Sequence, residues 1–159
     1  MTFNIILVII SLIFENIINM IFSNNSYILS LFTILSLIFI YPYYKNSKKD
    51  YLLFSMIAGF IYDVINTNFY ILNPLIFVLI SYFIYMFFRK FKYKLLNVIL
   101  VSIFVILFYQ FLLFVIFNIT SSSKYSINDF IFIINHYYII NILYSICLYF
   151  ISTKHDRIG

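Results

Sequence analysis

The fold of this chain is decided where one apolar helix ends and the next begins, in the stretch Gly59-Phe60-Ile61-Tyr62-Asp63 and, after a polar turn, Asn73-Pro74-Leu75. The carboxylate of Asp63 and one of only two glycines stand here in a run that is otherwise hydrocarbon. A charged side chain inside a bilayer costs about 2.5–3.5 kcal/mol on insertion scales. A carboxylate in this position therefore needs a structural or functional reason.

The composition of the chain requires lipid as its solvent. Hydrophobic residues make up 65% of the 159 positions and charged residues only 9%, whereas a soluble domain carries about 25% charged residues. The net charge of +5 does not indicate nucleic-acid binding, because the basic residues are spread over short loops and not over one soluble face. We therefore expect an all-α integral membrane protein.

Six apolar runs approach the roughly 20 residues that a helix needs to cross about 30 Å of hydrocarbon. The third run is short, and Pro74 stands in the first turn of the fourth, where its missing N–H costs little. The connectors leave no room for an extramembrane domain, so the sequence predicts a single six-helix transmembrane bundle. Its predicted spans cover residues 3–22, 27–44, 51–65, 72–88, 96–117 and 130–151.

The distribution of basic residues predicts the orientation of the bundle. The loops after the second and fourth spans and the C-terminal tail carry nine of the ten Lys and Arg residues. Because short cytoplasmic loops are enriched in Lys and Arg, this side is predicted to be cytoplasmic, with both termini on it. The cluster from Arg89 to Lys94 could also attract phospholipid, but we favour its interpretation as a topology signal. The chain is therefore predicted to be a multi-pass protein of the cytoplasmic (inner) membrane.

Polar side chains in the first span fall on one face of a helix. Asn4, Ser11, Glu15 and Asn19 follow steps of seven, four and four residues. An unpaired polar group in hydrocarbon costs several kcal/mol, so this face is expected to point into the bundle. Glu15 is expected to be either protonated or held by a partner from another helix. A proton or ligand site and an interhelical hydrogen-bond clamp both fit the pattern, and we favour the clamp.

A second polar face lies on the third span, where Ser55, Gly59 and Asp63 recur at steps of four. Ser-x-x-x-Gly is a pattern of small residues that lets two helix backbones approach closely. Asp63 is expected at the outer end of the span, either half solvated at the interface or reaching into the bundle. We favour a role in maintaining the fold over a role in chemistry.

Signs of catalysis or metal binding are few in the sequence. It contains no Gly-rich phosphate loop, no Gly-x-Ser-x-Gly and no His-Glu-x-x-His, and its five acids are scattered over several helices. One cysteine and two separated histidines do not form a metal cluster. We therefore expect no enzyme activity, no cofactor and no metal. Weaker interhelical hydrogen-bond clamps are expected at Gln110, Asn141 and Ser145. Asp129 and His136 are expected to bond to each other, and we favour this pair over a proton relay.

The segments Ala58–Ile65, Asn68-Phe69 and Asn73–Tyr82 combine a Gly-Phe-x-x-Asp helix end, a polar turn and an apolar helix. This combination resembles the central segment of the rod shape-determining protein MreD family. The chain length, the number of spans, the acid in the first helix and the short basic tail are also similar to that family. The chain departs from the family pattern in the turn after Asp63, where a glycine is usual, and at Ser81, where glycine often precedes tyrosine.

The resemblance implies a non-enzymatic membrane scaffold of the bacterial elongation complex, which supports peptidoglycan synthesis and rod cell shape. The implied partners are MreC, the glycosyltransferase RodA, a penicillin-binding transpeptidase, the MreB filament and membrane lipids. The implied fold resembles the substrate-binding subunits of energy-coupling-factor transporters. The candidate structural or partner-binding residues are Gly59, Asp63, Ser55, Glu15, Asn19 and Pro74.

The alternative function is that of a substrate-binding subunit of an energy-coupling-factor vitamin transporter. Such subunits tend to carry small-residue motifs, often Ala-x-x-x-Ala, on the first helix for docking to their coupling subunit. The first span of this chain has no alanine and no glycine. This absence favours the scaffold.

Overall fold

The computed structural model describes residues 2–21, 31–66, 71–119 and 127–156. Over these ranges the chain is almost entirely helical, and a 3-10 helix over Tyr41–Tyr44 continues the second α-helix. The predicted all-α architecture is confirmed. The α-helices in the described ranges are α1 (Thr2–Ile21), α2 (Phe32–Ile40), α3 (Lys48–Asn66), α4 (Leu72–Lys90), α5 (Leu95–Ile119) and α6 (Ile127–Asp156).

Three of the described helices are long and apolar enough to cross a membrane, over Phe3–Ile21, Leu72–Lys90 and Leu95–Ile116. Shorter apolar helices cover Phe32–Tyr44 and Tyr138–Thr153. α3 and α6 extend beyond the predicted spans 51–65 and 130–151, because polar and charged residues continue each helix past its apolar run. The start of the predicted span 27–44 lies outside the described residues.

The central element of the bundle is α2. All nine of its residues are buried, and it packs against α1, α4, α5 and α6. A helix that is apolar on every side is typical of a buried position. α3 is also joined to it, since the hydroxyl of Tyr51 donates a hydrogen bond to the carbonyl of Leu37 at 2.8 Å. The hydrophobic core is therefore built around α2.

The outward faces of α1 and α3 are apolar. Side chains such as Ile6 and Phe14 on α1, and Leu53 and Val64 on α3, are at least half exposed. In water such a surface would be a liability, but in a bilayer it is solvated by acyl chains. The buried sides of the same helices carry the polar residues, as the spacing in the sequence predicts.

One end of the bundle gathers the basic loops. The hydroxyl of Tyr85 near the end of α4 donates a hydrogen bond to the carbonyl of Lys45 at 3.2 Å. The ammonium of Lys48 lies 4.3 Å from the centre of the Tyr82 ring, which is also on α4. Residues 45–49 and 89–94 therefore lie at the same end of the α3–α4 pair. Asp63 and the start of α4 lie at the other.

Candidate functional site

The carboxylate of Asp63, in the last turns of α3, is completely buried. Its oxygens accept hydrogen bonds from the backbone N–H of Asn73 at 3.1 Å and from the side-chain amide of Asn73 at 2.5 Å. Asn73 is the second residue of α4, so its N–H has no acceptor within its own helix. A negative charge there also complements the positive end of the helix dipole. Asp63 therefore caps α4 from the neighbouring helix.

Gly59 lies one turn before Asp63, where the backbones of α3 and α4 touch. A Cβ atom at this position would lie 2.6 Å from Cα of Pro74 and 2.7 Å from its nitrogen. Both are backbone atoms, so no change of rotamer relieves the contact. Pro74 itself fits the first turn of α4 because the N–H that it lacks would have no intrahelical acceptor. Only glycine allows the approach that puts Asp63 beside Asn73.

Among the side chains that the structure describes, a second completely buried acid is Glu15, in the second half of α1. Its Oε2 accepts a hydrogen bond from the backbone N–H of Thr33 at 2.8 Å, and its Oε1 accepts one from the hydroxyl of Tyr62 at 2.8 Å. Thr33 is the second residue of α2, whose N-cap residue, Leu31, provides no side-chain cap. Glu15 thus supplies the missing acceptor from a different helix. The two buried acids have the same structural role, each at the N-terminus of another helix.

Tyr109 of α5 connects the surroundings of the two acids. Its hydroxyl donates a hydrogen bond to Oδ1 of Asn73 at 3.1 Å. It also interacts with the hydroxyl of Tyr62, which is bonded to Glu15. All of these side chains are buried. The result is one polar network that joins α1, α2, α3, α4 and α5, and its members in order are Thr33, Glu15, Tyr62, Tyr109, Asn73 and Asp63.

α6 is attached to the bundle by two further polar contacts. The side-chain oxygen of Asn141 accepts a hydrogen bond from the backbone N–H of Leu31 at 2.8 Å, just before α2. The hydroxyl oxygens of Ser11 and Tyr144 are 2.6 Å apart and share a hydrogen bond. The Tyr144 ring stacks on Phe32 with a centroid separation of 4.0 Å. The start of α2 is thus held from two sides, by α1 and by α6.

The other residues predicted as sites or clamps are distributed over α1, α3, α5 and α6. Ser55 is buried, and its hydroxyl donates to the carbonyl of Leu52 within its own helix. Asn19 is half-buried near the end of α1, and Gln110 is buried in α5. Ser145 donates to the carbonyl of Asn141 in its own helix. The side chains of the predicted pair Asp129 and His136 lie outside the described part of the structure.

Several members of the network are not predicted as site residues from the sequence. Tyr62 and Asn73 belong to the segment that resembles the family, but residue type and spacing alone give them no site role. An Asn-Pro pair at the start of an apolar helix is a usable signal for Asn73, since the amide would otherwise be unsatisfied in hydrocarbon. Tyr109 stands beside Gln110 in an otherwise apolar run, which is a weaker signal. Thr33 contributes its backbone N–H, which every residue except proline has, so its residue type does not predict the contact.

The chemistry that this arrangement supports is the joining of helices. Each oxygen of the two buried carboxylates faces a donor from another helix. Hydrogen bonds to charged groups contribute roughly 1.5–3 kcal/mol each, and leaving a buried donor without its acceptor costs about as much. Among the described residues, no group of three or more His, Cys, Asp or Glu side chains is placed to hold a metal ion. The network is therefore suited to holding the helices in a defined register.

Comparison with curated proteins finds no match to this chain, and comparison with solved structures finds none either. One family model does match, and it is described as rod shape-determining protein MreD. The match extends over residues 1–156 and so includes every helix described above. This confirms the family suggested by the central segment of the sequence. The chain therefore belongs to the rod shape-determining protein MreD family.

Proposed function

We propose that this protein is a non-enzymatic membrane scaffold of the bacterial elongation complex, which binds MreC, RodA and the penicillin-binding transpeptidase and so supports peptidoglycan synthesis. Membership of the family gives the protein a role in rod shape determination. The observation that carries the scaffold is the use of both buried acids, Glu15 and Asp63, as caps of neighbouring helices. The two carboxylates, which could otherwise act in catalysis, therefore stabilise the fold, and the outer faces of the helices are left for lateral contacts.

The proposed topology has six crossings with both termini in the cytoplasm. At about 1.5 Å per residue, the 19 residues of α3 are long enough to cross nearly 30 Å, although its first turn is charged. The 30 residues of α6 exceed the thickness of the hydrocarbon. The basic residues of 45–49 and 89–94 gather at one end, and this supports a cytoplasmic assignment of that end.

The proposed route to partners is through the membrane plane. α1 and α3 carry exposed apolar side chains along most of their length, and helix association in lipid depends on close packing of such faces. A bundle held rigid by its internal network presents these faces in one geometry. Loosening the network should therefore weaken partner binding without any change in the contacting surface.

The experiment is affinity purification of the tagged protein from its native membrane in mild detergent, with mass spectrometry of the proteins recovered. The informative variant is Asp63→Ala, which removes the cap of α4. Its matched control is Asp50→Ala, which removes one acid from the basic end, where its carboxylate accepts a hydrogen bond from the hydroxyl of Ser47 in its own turn. We expect the wild type and the control to recover MreC and the wall synthases, and Asp63→Ala to recover severalfold less at equal expression.

Two results would count against the proposal in different ways. Unchanged recovery with Asp63→Ala would contradict the link between the α4 cap and partner binding. Recovery of a transmembrane coupling subunit with two ATPases, in place of the wall proteins, would contradict the scaffold and identify the transporter subunit.

A further inference from the structure

A cleft of about 430 Å³ opens at the basic end of the bundle. It lies between the 3-10 helix, the end of α4 and the loop that leads to α5. Aromatic rings form much of its wall, and Phe88 and Tyr93, in contact with a centroid separation of 5.2 Å, are two of them. The cations that line it come from two separate segments of the chain and are Lys45, Arg89, Lys90 and Lys92.

The backbone that carries these cations is held in place. The side-chain amide of Asn97 donates a hydrogen bond to the carbonyl of Lys92 at 2.7 Å, and the N–H of Phe91 bonds to the carbonyl of Phe87 at 3.0 Å. Tyr93 packs against Tyr149 of α6 on its other side. On the opposite wall, the carbonyl of Lys45 accepts a hydrogen bond from the hydroxyl of Tyr85. The cleft is thus a built feature and does not depend on a loose loop.

The charge in this cleft is of one sign. Among the side chains that the structure describes, the acid at this end of the bundle is Asp50, which lines a different cleft with Asn4 and Tyr44. A topology signal alone requires only that cations lie on this side of the membrane, and not that four of them line one cavity with an aromatic wall. The exposed ring of Phe91 beside them is suited to the acyl-chain boundary.

We propose that this cleft binds the phosphate headgroup of an anionic phospholipid. Basic pockets between membrane helices on the cytoplasmic side are a recurrent site for such headgroups. Arginine and lysine would contact the phosphate oxygens, while the rings of Phe88 and Phe91 border the first part of the acyl chains. The lipid would bridge the 3-10 helix and the α4–α5 loop, and so bind the two halves of the basic end together.

The test is native mass spectrometry of the full-length protein purified in nonionic detergent, titrated with phosphatidylglycerol, cardiolipin or phosphatidylethanolamine. The cleft variant is Arg89→Gln with Lys92→Gln. The control is Lys49→Gln with Lys94→Gln, which removes the same charge from the same end of the bundle but outside the lining of the cleft. Inorganic phosphate is added as a competitor to separate a lipid site from a site for a free anion.

The wild type is expected to retain phosphatidylglycerol or cardiolipin in preference to phosphatidylethanolamine. Affinity for the anionic lipid should fall about fivefold for each cation removed from the cleft, and roughly 25-fold for the pair. The control pair should lose clearly less. The single variant Lys45→Gln, on the other wall of the cleft, should have about fivefold lower affinity for the anionic lipid. It provides the test if the double variant does not fold.

Equal losses in the cleft pair and the control pair would overturn the proposal, because the attraction would then belong to the whole basic end. Displacement of the lipid by inorganic phosphate at matched concentration would overturn it as well, since the site would then be one for a free anion. Equal binding of phosphatidylethanolamine would show that the negative charge of the headgroup is not recognised, with the same consequence.

Discussion

Replacing Gly59 with alanine is predicted to push α4 away from α3. The new Cβ would lie 2.6 Å from Cα of Pro74 and 2.9 Å from the carbonyl carbon of Asn73. Carbon atoms in ordinary contact are about 3.5–4.0 Å apart, so the two helices must separate by roughly 1 Å. Because the blocking atoms are backbone, the adjacent Asp63–Asn73 hydrogen bonds must lengthen with them.

The expected change in the free energy of unfolding combines one stabilising and two destabilising contributions. Alanine is favoured over glycine within a helix by about 1 kcal/mol. Overpacking of a well-packed interior costs about 1–3 kcal/mol. Lengthening the bonds to Asp63, which start at 2.5 and 3.1 Å, weakens the shorter one and breaks the longer one, and this costs a further ~1.5–3 kcal/mol. We expect the free energy of unfolding of Gly59→Ala to fall by about 1.5–5 kcal/mol in total.

The assay is titration of SDS into the protein in mild detergent, followed by near-ultraviolet circular dichroism. The chain has 16 tyrosines and no tryptophan, so this signal reports tertiary packing of the tyrosine rings. Ser55→Ala is the control, because it changes a small buried residue one turn away whose hydroxyl donates a hydrogen bond to the carbonyl of Leu52 in its own turn. Pro74→Ala should not restore stability to Gly59→Ala, since the blocking atoms of Pro74 are backbone. A Gly59→Ala protein as stable as the wild type would refute the close approach of α3 and α4.

Two further predictions use the same titration. Glu15→Ala should lower the free energy of unfolding by about 2–5 kcal/mol, because the Thr33 N–H and the Tyr62 hydroxyl both lose their acceptor. Glu15→Gln keeps one acceptor oxygen and should cost less; an equal loss would mean that the charge, and not the acceptor, matters. Tyr144→Phe should cost about 0.6 kcal/mol, the average for a hydrogen bond between membrane helices, as only its bond to Ser11 is removed. A loss above about 2 kcal/mol would contradict that limited role.

Local spacing was sufficient to predict which side of α1 and α3 is polar. Ser11 and Glu15 lie four residues apart, and both are fully buried while the opposite side of the helix is exposed. The same reasoning did not identify the partners of Glu15, because Tyr62 is distant in the chain and its contact exists only after α1, α2 and α3 have packed. It also left open whether Asp63 is half solvated, and the structure buries it completely.

The sequence by itself determined that this protein is an all-α membrane protein of the MreD family, because composition and the motif around Gly59 and Asp63 depend on residue type alone. Only the tertiary structure decided that α2 is the buried centre of the bundle. α2 is apolar on nearly every face, which fits burial in lipid as well as burial in protein, so its own periodicity does not distinguish the two. The tertiary structure also decided that Glu15 and Asp63 each cap a neighbouring helix. The first N–H groups of a helix have no acceptor within it, so they bond to whichever acceptor the packing of the helices brings close.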